Sequence, residues 1–125
     1  ELAREGQDCV RWNRLNPLEE PRVPYVTECL KDAKGPLIAA TDYIKTFAEQ
    51  IRGFVPLAFT VLGTDGYGRS DSRANLRRFF EVDANHIAGA AMHALYSEGS
   101  VTKADMKKAI TKYDIDGDKP NPRLV

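Results

Sequence analysis

Three glycines and four arginines crowd one stretch of this chain, VLGTDGYGRSDSRANLRRFF, residues 61–80. A glycine turn that opens a helix can bring backbone N–H groups to a phosphate, and the first-turn amides add a positive field. Arg69, Arg73 and Arg77 recur at every fourth position, so Arg73 and Arg77 stack on one helix face. With the Ser70 and Asp71 side chains they could contact an anion. Two phosphate-binding patterns can be tested. A P-loop needs a lysine after its second glycine, and here Gly63 to Gly68 is followed by Arg69-Ser70. A dinucleotide fingerprint needs a third glycine, and after Gly66 and Gly68 that position holds Asp71. Each pattern fails at a residue that does its chemistry. The residues leave a sharp strand-to-helix turn, with Gly63, Gly66 and Gly68 where φ is positive and Ser70 or Asp71 as the helix cap. For the arginines two readings stand: contact with an anion, or ion pairing with a neighbouring domain or a second subunit. The second is preferred, since the guanidinium fork suits interface carboxylates.

The remaining polar clusters carry less. Asp114, Asp116 and Asp118 alternate like the first, third and fifth ligands of a calcium loop. The glycine, Gly117, comes too early, and Val125 stands where the bidentate Glu belongs, so a solvated turn is expected. His86 and His93 share a helix face but lie roughly 10 Å apart, too far to chelate one ion. Cys9 and Cys29 sit in no Cys-x-x-Cys and read as free thiols of a reducing cytoplasm. No Ser-His-Asp or Cys-His pattern has support in the sequence.

The elements that must position these residues can be read from periodicity. Residues 2–15 predict a polar helix whose start Gly6 weakens. The proline-rich NPLEEPRVPY is an extended connector, and YVTECLKDA is a short helix. PLIAAT (36–41) and LAFTVLG (57–63) are short apolar runs that predict buried strands. Between them Ile44, Phe47, Ala48 and Ile51 predict an amphipathic helix, capped by Thr41 or Asp42 and stopped by Gly53. Strand, helix and strand over this length make a parallel βαβ unit. Three more helices follow. The first carries Leu76, Phe79 and Phe80 inward, the second is capped by Asp83 and ends at Gly99, and the third opens on a Thr102–Asp105 capping box. The tail from Asp114 is turn-rich.

The 125 residues suit a single domain, 42% hydrophobic and 29% charged. Lys+Arg and Asp+Glu balance at 18 each, which gives no electrostatic reason for a nucleic acid or an anionic membrane as partner. No apolar run has the length of a bilayer span. Two strands are fewer than a parallel sheet covered on both faces normally has. Part of the sheet is therefore expected upstream of Glu1, and the chain reads as the C-terminal piece of a longer one.

GTDGYGRSDSRANLRRFFEVDANHI strongly resembles the C-terminal region of the homodimeric type of pyruvate dehydrogenase decarboxylating component. GQDCVRWNRLNP, PRVPYV, AATDYIKTFAEQIRGFVP and the closing NPRLV resemble it in the same order, so the likeness covers essentially the whole chain. A weaker likeness reaches the last domain of transketolases. One departure is the segment after Pro56, which is more apolar and slightly shorter than the family's loop.

The resemblance implies a parent enzyme that uses thiamine diphosphate and magnesium to decarboxylate pyruvate and to acetylate the lipoyl group of a partner dihydrolipoyl acyltransferase in a large complex. It implies a cofactor site between the two earlier domains, across a homodimer interface and outside this segment. No catalytic, cofactor-binding or metal-binding residue is therefore carried over to this chain. The fold it implies is a three-layer α/β/α transketolase C-terminal-like module with a mixed, mostly parallel sheet, here lacking its first strands. Residues 1–125 would be a single, partial domain that supports the dimer and the preceding domain. Two other readings remain open: an anion- or nucleotide-binding regulatory module built on Gly66 to Arg73, and the terminal domain of a transketolase.

Overall fold

The centre of the structure, a computed structural model that describes all 125 residues, is a pair of parallel strands. β1 (Leu37–Ala40) and β2 (Phe59–Leu62) pair from Leu37 opposite Phe59 to Ala40 opposite Leu62. In β2 the alternation is clear: Phe59 and Val61 are buried, Thr60 and Leu62 half-buried. β1, predicted as a buried strand, has no fully buried residue. The sheet has no third strand, so the α/β expectation of a module short of strands holds.

Before the sheet come α1 (Leu2–Leu15) and α2 (Tyr25–Leu30); after it come α4 (Arg73–Phe79), α5 (Ala84–Ser97) and α6 (Lys103–Lys112). Helix α5 packs on both strands and on α6. The connector between α1 and α2, predicted as extended, first turns at residues 17–19, where the Glu19 N–H donates to the Asn16 carbonyl (3.1 Å), and only then runs without helix or strand to Pro24; α1 holds it. The Asn13 side chain accepts from the Arg22 N–H (2.8 Å) and donates to the Arg22 carbonyl (2.9 Å). Glu5 accepts from the Tyr25 N–H at 3.0 Å. The Arg22 guanidinium lies 4.2 Å from the centre of the Trp12 ring.

The segment between the strands corrects the sequence reading. The long helix predicted from Ile44 to Ile51 is only α3 (Thr46–Glu49), followed by a single 3-10 turn at Arg52–Phe54 that contains Gly53. Ile44 and Phe47 are 48% and 60% exposed and Ala48 and Ile51 only half-buried, so no residue of the apolar stripe is buried. The cause lies at its start. The Thr41 hydroxyl accepts from the Tyr43 N–H (3.1 Å) rather than capping a helix, and the Lys45 N–H is taken by Asp65 (2.9 Å). A helix this short, with neither cap nor buried stripe, does not propagate.

Gly6 does more than weaken a helix start. It is buried where α1 meets the 3-10 turn, and a Cβ there would lie 2.5 Å from the Phe54 ring. The Phe54 carbonyl in turn accepts from the Thr27 hydroxyl at 2.5 Å, which ties α2 to the same point. Ten of the 125 residues are buried, and no large side chain is fully enclosed. A compact monomer of 13.9 kDa exposes about 6,700 Å², whereas this chain exposes 8918 Å².

In an exposed helix Gly→Ala stabilises by about 1 kcal/mol. At Gly6 the methyl would meet Phe54, and overpacking typically costs about 1–3 kcal/mol. Gly6→Ala is therefore expected to lower the urea midpoint. A raised midpoint would mean that Phe54 swings away freely and that α1 is not fixed through this contact.

Candidate functional site

The glycine turn lies at the carboxyl ends of both strands, where open parallel sheets place ligands. The two strand-end loops are bonded to each other there. The Thr41 N–H donates to the Leu62 carbonyl (3.0 Å) and the Thr64 N–H to the Tyr43 carbonyl (3.0 Å). The Thr64 hydroxyl donates to the Asp42 carbonyl, and Asp65 accepts from the Lys45 N–H. Gly63 is buried against this seam: a Cβ would sit 2.8 Å from the Tyr43 carbonyl oxygen and 3.0 Å from the Lys45 nitrogen. Gly66 has φ +118°, and a Cβ there would fall 2.5 Å from the Pro122 carbonyl oxygen. Gly68 has open space around it and a φ outside the left-handed region, so only Gly66 of the three needs glycine's positive φ.

The helix cap is shifted from the predicted position. Ser72, not Ser70 or Asp71, caps α4, its hydroxyl accepting from the Asn75 N–H at 3.3 Å. Asp71 supports the cap from one residue earlier: it accepts from the Asn75 side-chain amide (2.8 Å) and from the Ser72 N–H (2.6 Å). Those bonds hold its carboxyl below the ordinary range, the Asn75 contact contributing most. Ser70 is exposed beside it.

The arginines separate. Arg69 lies over the Phe79 ring, 4.0 Å from its centre. Arg77 approaches Asp42 at 3.8 Å, with side chains 48% and 74% exposed. Arg73 is exposed and has no carboxylate partner. Arg73 and Arg77 line an open groove of about 650 Å³ together with Asp42, Tyr67, Leu76 and Phe80. Asp42 and Asp71 both face it, and no nucleophile–base pair converges there. The groove can offer apolar area and a guanidinium to a surface laid on it.

Residues that sequence reading passed over hold α4 in place. Arg78 donates to the Asp114 carboxylate (2.5 Å) and carbonyl (3.1 Å), and it lies 3.9 Å from Asp83. Asp114, considered above as a calcium ligand, is thus an arginine partner, and Asp116 closes a local turn with the Asp118 N–H (2.9 Å). Lys119 donates to the Phe79 carbonyl (2.6 Å) and to Glu81 (3.0 Å). The only hint in the sequence was opposite charge at long separation, which carries no register. His86 and His93 also part: His93 is exposed, while the His86 backbone N–H and ring both reach Asp83, at 2.9 and 2.6 Å. No group of three or more His, Cys, Asp or Glu side chains is placed to hold a metal.

Two comparisons bear on this arrangement. Residues 6–83 match the family described as transketolase-like TK C-terminal domain. Over its whole length the chain is 57% identical to the pyruvate dehydrogenase E1 component of Escherichia coli (strain K12) and 54% identical to that of Cupriavidus necator. Over 98% of its length it is 52% identical to that of Pseudomonas aeruginosa. It spans 14% of the length of each of these relatives.

Asp83 gives the first test of the site. Burial raises its carboxyl pKa, but the His86 N–H, the His86 ring and Arg78 outweigh that, so the pKa lies below the ordinary value. A depressed carboxylate stabilises above its unfolded value of about 3.9 and loses that contribution as pH falls through the lower folded value. Asp83→Ala is expected to cost about 1 kcal/mol at neutral pH. The gap from the parent sequence should close in acid below the unfolded value. A gap of constant size across that range, in denaturation run at both pH values, would remove ionised Asp83 as its source.

Proposed function

We propose, from the premise that this chain belongs to the family of transketolase-like C-terminal domains, that it is a supporting, non-catalytic segment of a pyruvate dehydrogenase E1 component. The observation that carries the reading is an alignment at 57% identity overall that covers the whole chain, and so includes residues 84–125 beyond the transketolase-like match. That second portion favours pyruvate chemistry in the parent over the sugar-phosphate chemistry of a transketolase. The parent would use thiamine diphosphate and magnesium to decarboxylate pyruvate. It would pass the acetyl group to the lipoyl group of a dihydrolipoyl acyltransferase, in the cytoplasm.

The residues present do not fit that cofactor. A diphosphate needs free backbone N–H groups and a cation with oxygen ligands. Here the Thr64 N–H is bonded to Tyr43, and the face of Gly66 is filled by the Pro122 carbonyl oxygen, whose partial charge repels an anion. No carboxylate cluster stands ready for a divalent ion. The cofactor would be held by other parts of the parent, and residues 1–125 would act as one domain beside them.

Surface supports a packing role. The excess over a compact monomer, roughly 2,200 Å² on this chain alone, exceeds the roughly 800 Å² that each partner gives to a standard interface. No helix is long and apolar enough to cross a membrane. Tyr43, Phe47 and Tyr67 are each at least 60% exposed around the strand ends. Arg73 and Arg77 stand beside them as candidate partners for carboxylates of the upstream domains or the second subunit.

Two measurements test this. Calorimetry with thiamine diphosphate and magnesium should give no heat with residues 1–125 and a binding isotherm with the full-length parent; binding by the segment would overturn the placement of the cofactor. Arg77 forms only an exposed ion pair here, worth less than about 1 kcal/mol within the chain. Replacing Arg73 and Arg77 by Ala should therefore scarcely change the segment's own stability, yet raise the dimer dissociation constant of the full enzyme by about tenfold or more. An unchanged dimer would end the interface role.

A further inference from the structure

The C-terminal tail crosses the glycine turn at its tightest point. The Pro122 carbonyl oxygen and the Arg123 Cα lie 2.5 and 3.2 Å from where a Cβ on Gly66 would be. Pro122 is buried, although the residues on either side of it are exposed and prolines are mostly found outside. The tail around it forms no helix or strand. It closes on itself through the Arg123 N–H to the Asn121 side chain (3.0 Å) and the Leu124 N–H to the Asn121 carbonyl (2.9 Å). Its upstream anchor is Lys119, whose side chain is 20% exposed and reaches Phe79 and Glu81. The tail thus touches both ends of α4: the turn before it and the carbonyl of its last residue, Phe79.

From the other side, the same turn is bonded to the loop after β1 through Thr64, Asp65 and Lys45. It is held by hydrogen bonds on one side and by backbone packing on the other. The second contact needs position 66 to lack a side chain, whatever its φ.

We propose that residues 119–123 are a clasp that fixes the glycine turn, and with it the wall of the Arg73–Arg77 groove, so that tail docking and turn closure are one cooperative event. The clasp comes from outside residues 6–83, the portion matched to the transketolase-like family. Its logic is independent of what the parent catalyses. Gly66 then serves two purposes: it adopts φ +118° and it admits the Pro122 carbonyl.

Hydrogen exchange read by mass spectrometry on the intact protein tests the coupling in both directions. Removal of Pro122–Val125 should speed exchange about tenfold or more in peptides covering residues 42–48 and 61–68, while α1 peptides stay unchanged. Gly66→Ala should speed exchange comparably in residues 119–125, far along the chain from the substitution. If the truncated chain does not fold, Lys119→Met removes the anchor at full length and carries the same expectation for the turn. Unchanged exchange at the turn after truncation, or in Lys119→Met, overturns the clasp. So does a Gly66→Ala protein in which the turn loosens and the tail stays protected, since Gly66 would then serve its own backbone angle alone.

Discussion

Everything at the strand ends depends on one close approach: the backbone of Gly63 against the carbonyl of Tyr43. A Cβ at 2.8 Å from that oxygen has no room. With glycine there, the loop after β2 can lie along the loop after β1, and the bonds from Thr64 and Asp65 to Asp42, Tyr43 and Lys45 can form. Those bonds satisfy backbone groups that would otherwise be left at the strand ends. They also hold the chain just ahead of α3, where the N–H of Lys45, the residue before the helix, points to Asp65. The late start of α3 and the closure of the glycine turn therefore rest on the same set of bonds. Phe47 and Ile44 are left outward as a result, which is how an apolar stripe at helical spacing becomes exposed surface.

The parts of the fold that were legible in the sequence are those set by local rules. The extent of α1, the parallel strands, the Asp83 cap and the Thr102 cap follow from period, β-branching and short-range hydrogen bonding, and the chain obeys them. The Thr102 hydroxyl accepts from the Asp105 N–H at 3.2 Å, as its capping box requires. The misreadings have two causes. The Ile44–Ile51 helix and the Ser70 or Asp71 cap follow from local pattern; the first is overruled by a contact from twenty residues away, the second by a competing bond within the same turn. Asp65 takes the Lys45 amide, and Asp71 turns to Asn75 and leaves the cap to Ser72. The Gly66–Pro122 contact spans more than fifty residues and leaves no periodic trace. Glycine in the turn was expected for its dihedral freedom, and its second use, as space for another backbone, appears only when the tail is in place.

The candidate site was legible in composition and illegible in geometry. Arginines at every fourth position suggested one basic face. In the structure Arg69 lies on Phe79, Arg77 faces Asp42, and Arg78, outside the pattern, makes the bonds that link α4 to α6. Facing Asp42 and Asp71, the groove keeps little net positive charge, so its attraction for a small anion is weak. Its stronger property is exposed apolar area beside a guanidinium, which suits a protein surface better than a free phosphate.

The ends of α4 and α6 show what that linkage costs. Glu81 (φ +62°) and Asp114 (φ +50°) occupy the left-handed position that closes a helix, where α5 uses Gly99. Each non-glycine residue there costs about 1–2 kcal/mol. Their ion pairs, Glu81 with Lys119 and Asp114 with Arg78, are partly exposed, and such pairs contribute about 0–1 kcal/mol. The pairs alone do not offset the strain. The closing bonds help: Val82 N–H to the Arg77 carbonyl at 2.9 Å and Ile115 N–H to the Ile110 carbonyl at 3.0 Å satisfy carbonyls that the helix ends leave open. Glycine would form the same bonds without the strain. It would leave the ammonium of Lys119 on the Phe79 carbonyl alone and Arg78 without its closest carboxylate. The side chains at these two caps therefore bring attachment rather than local stability, and they attach α4 to α6 and to the tail that backs the glycine turn.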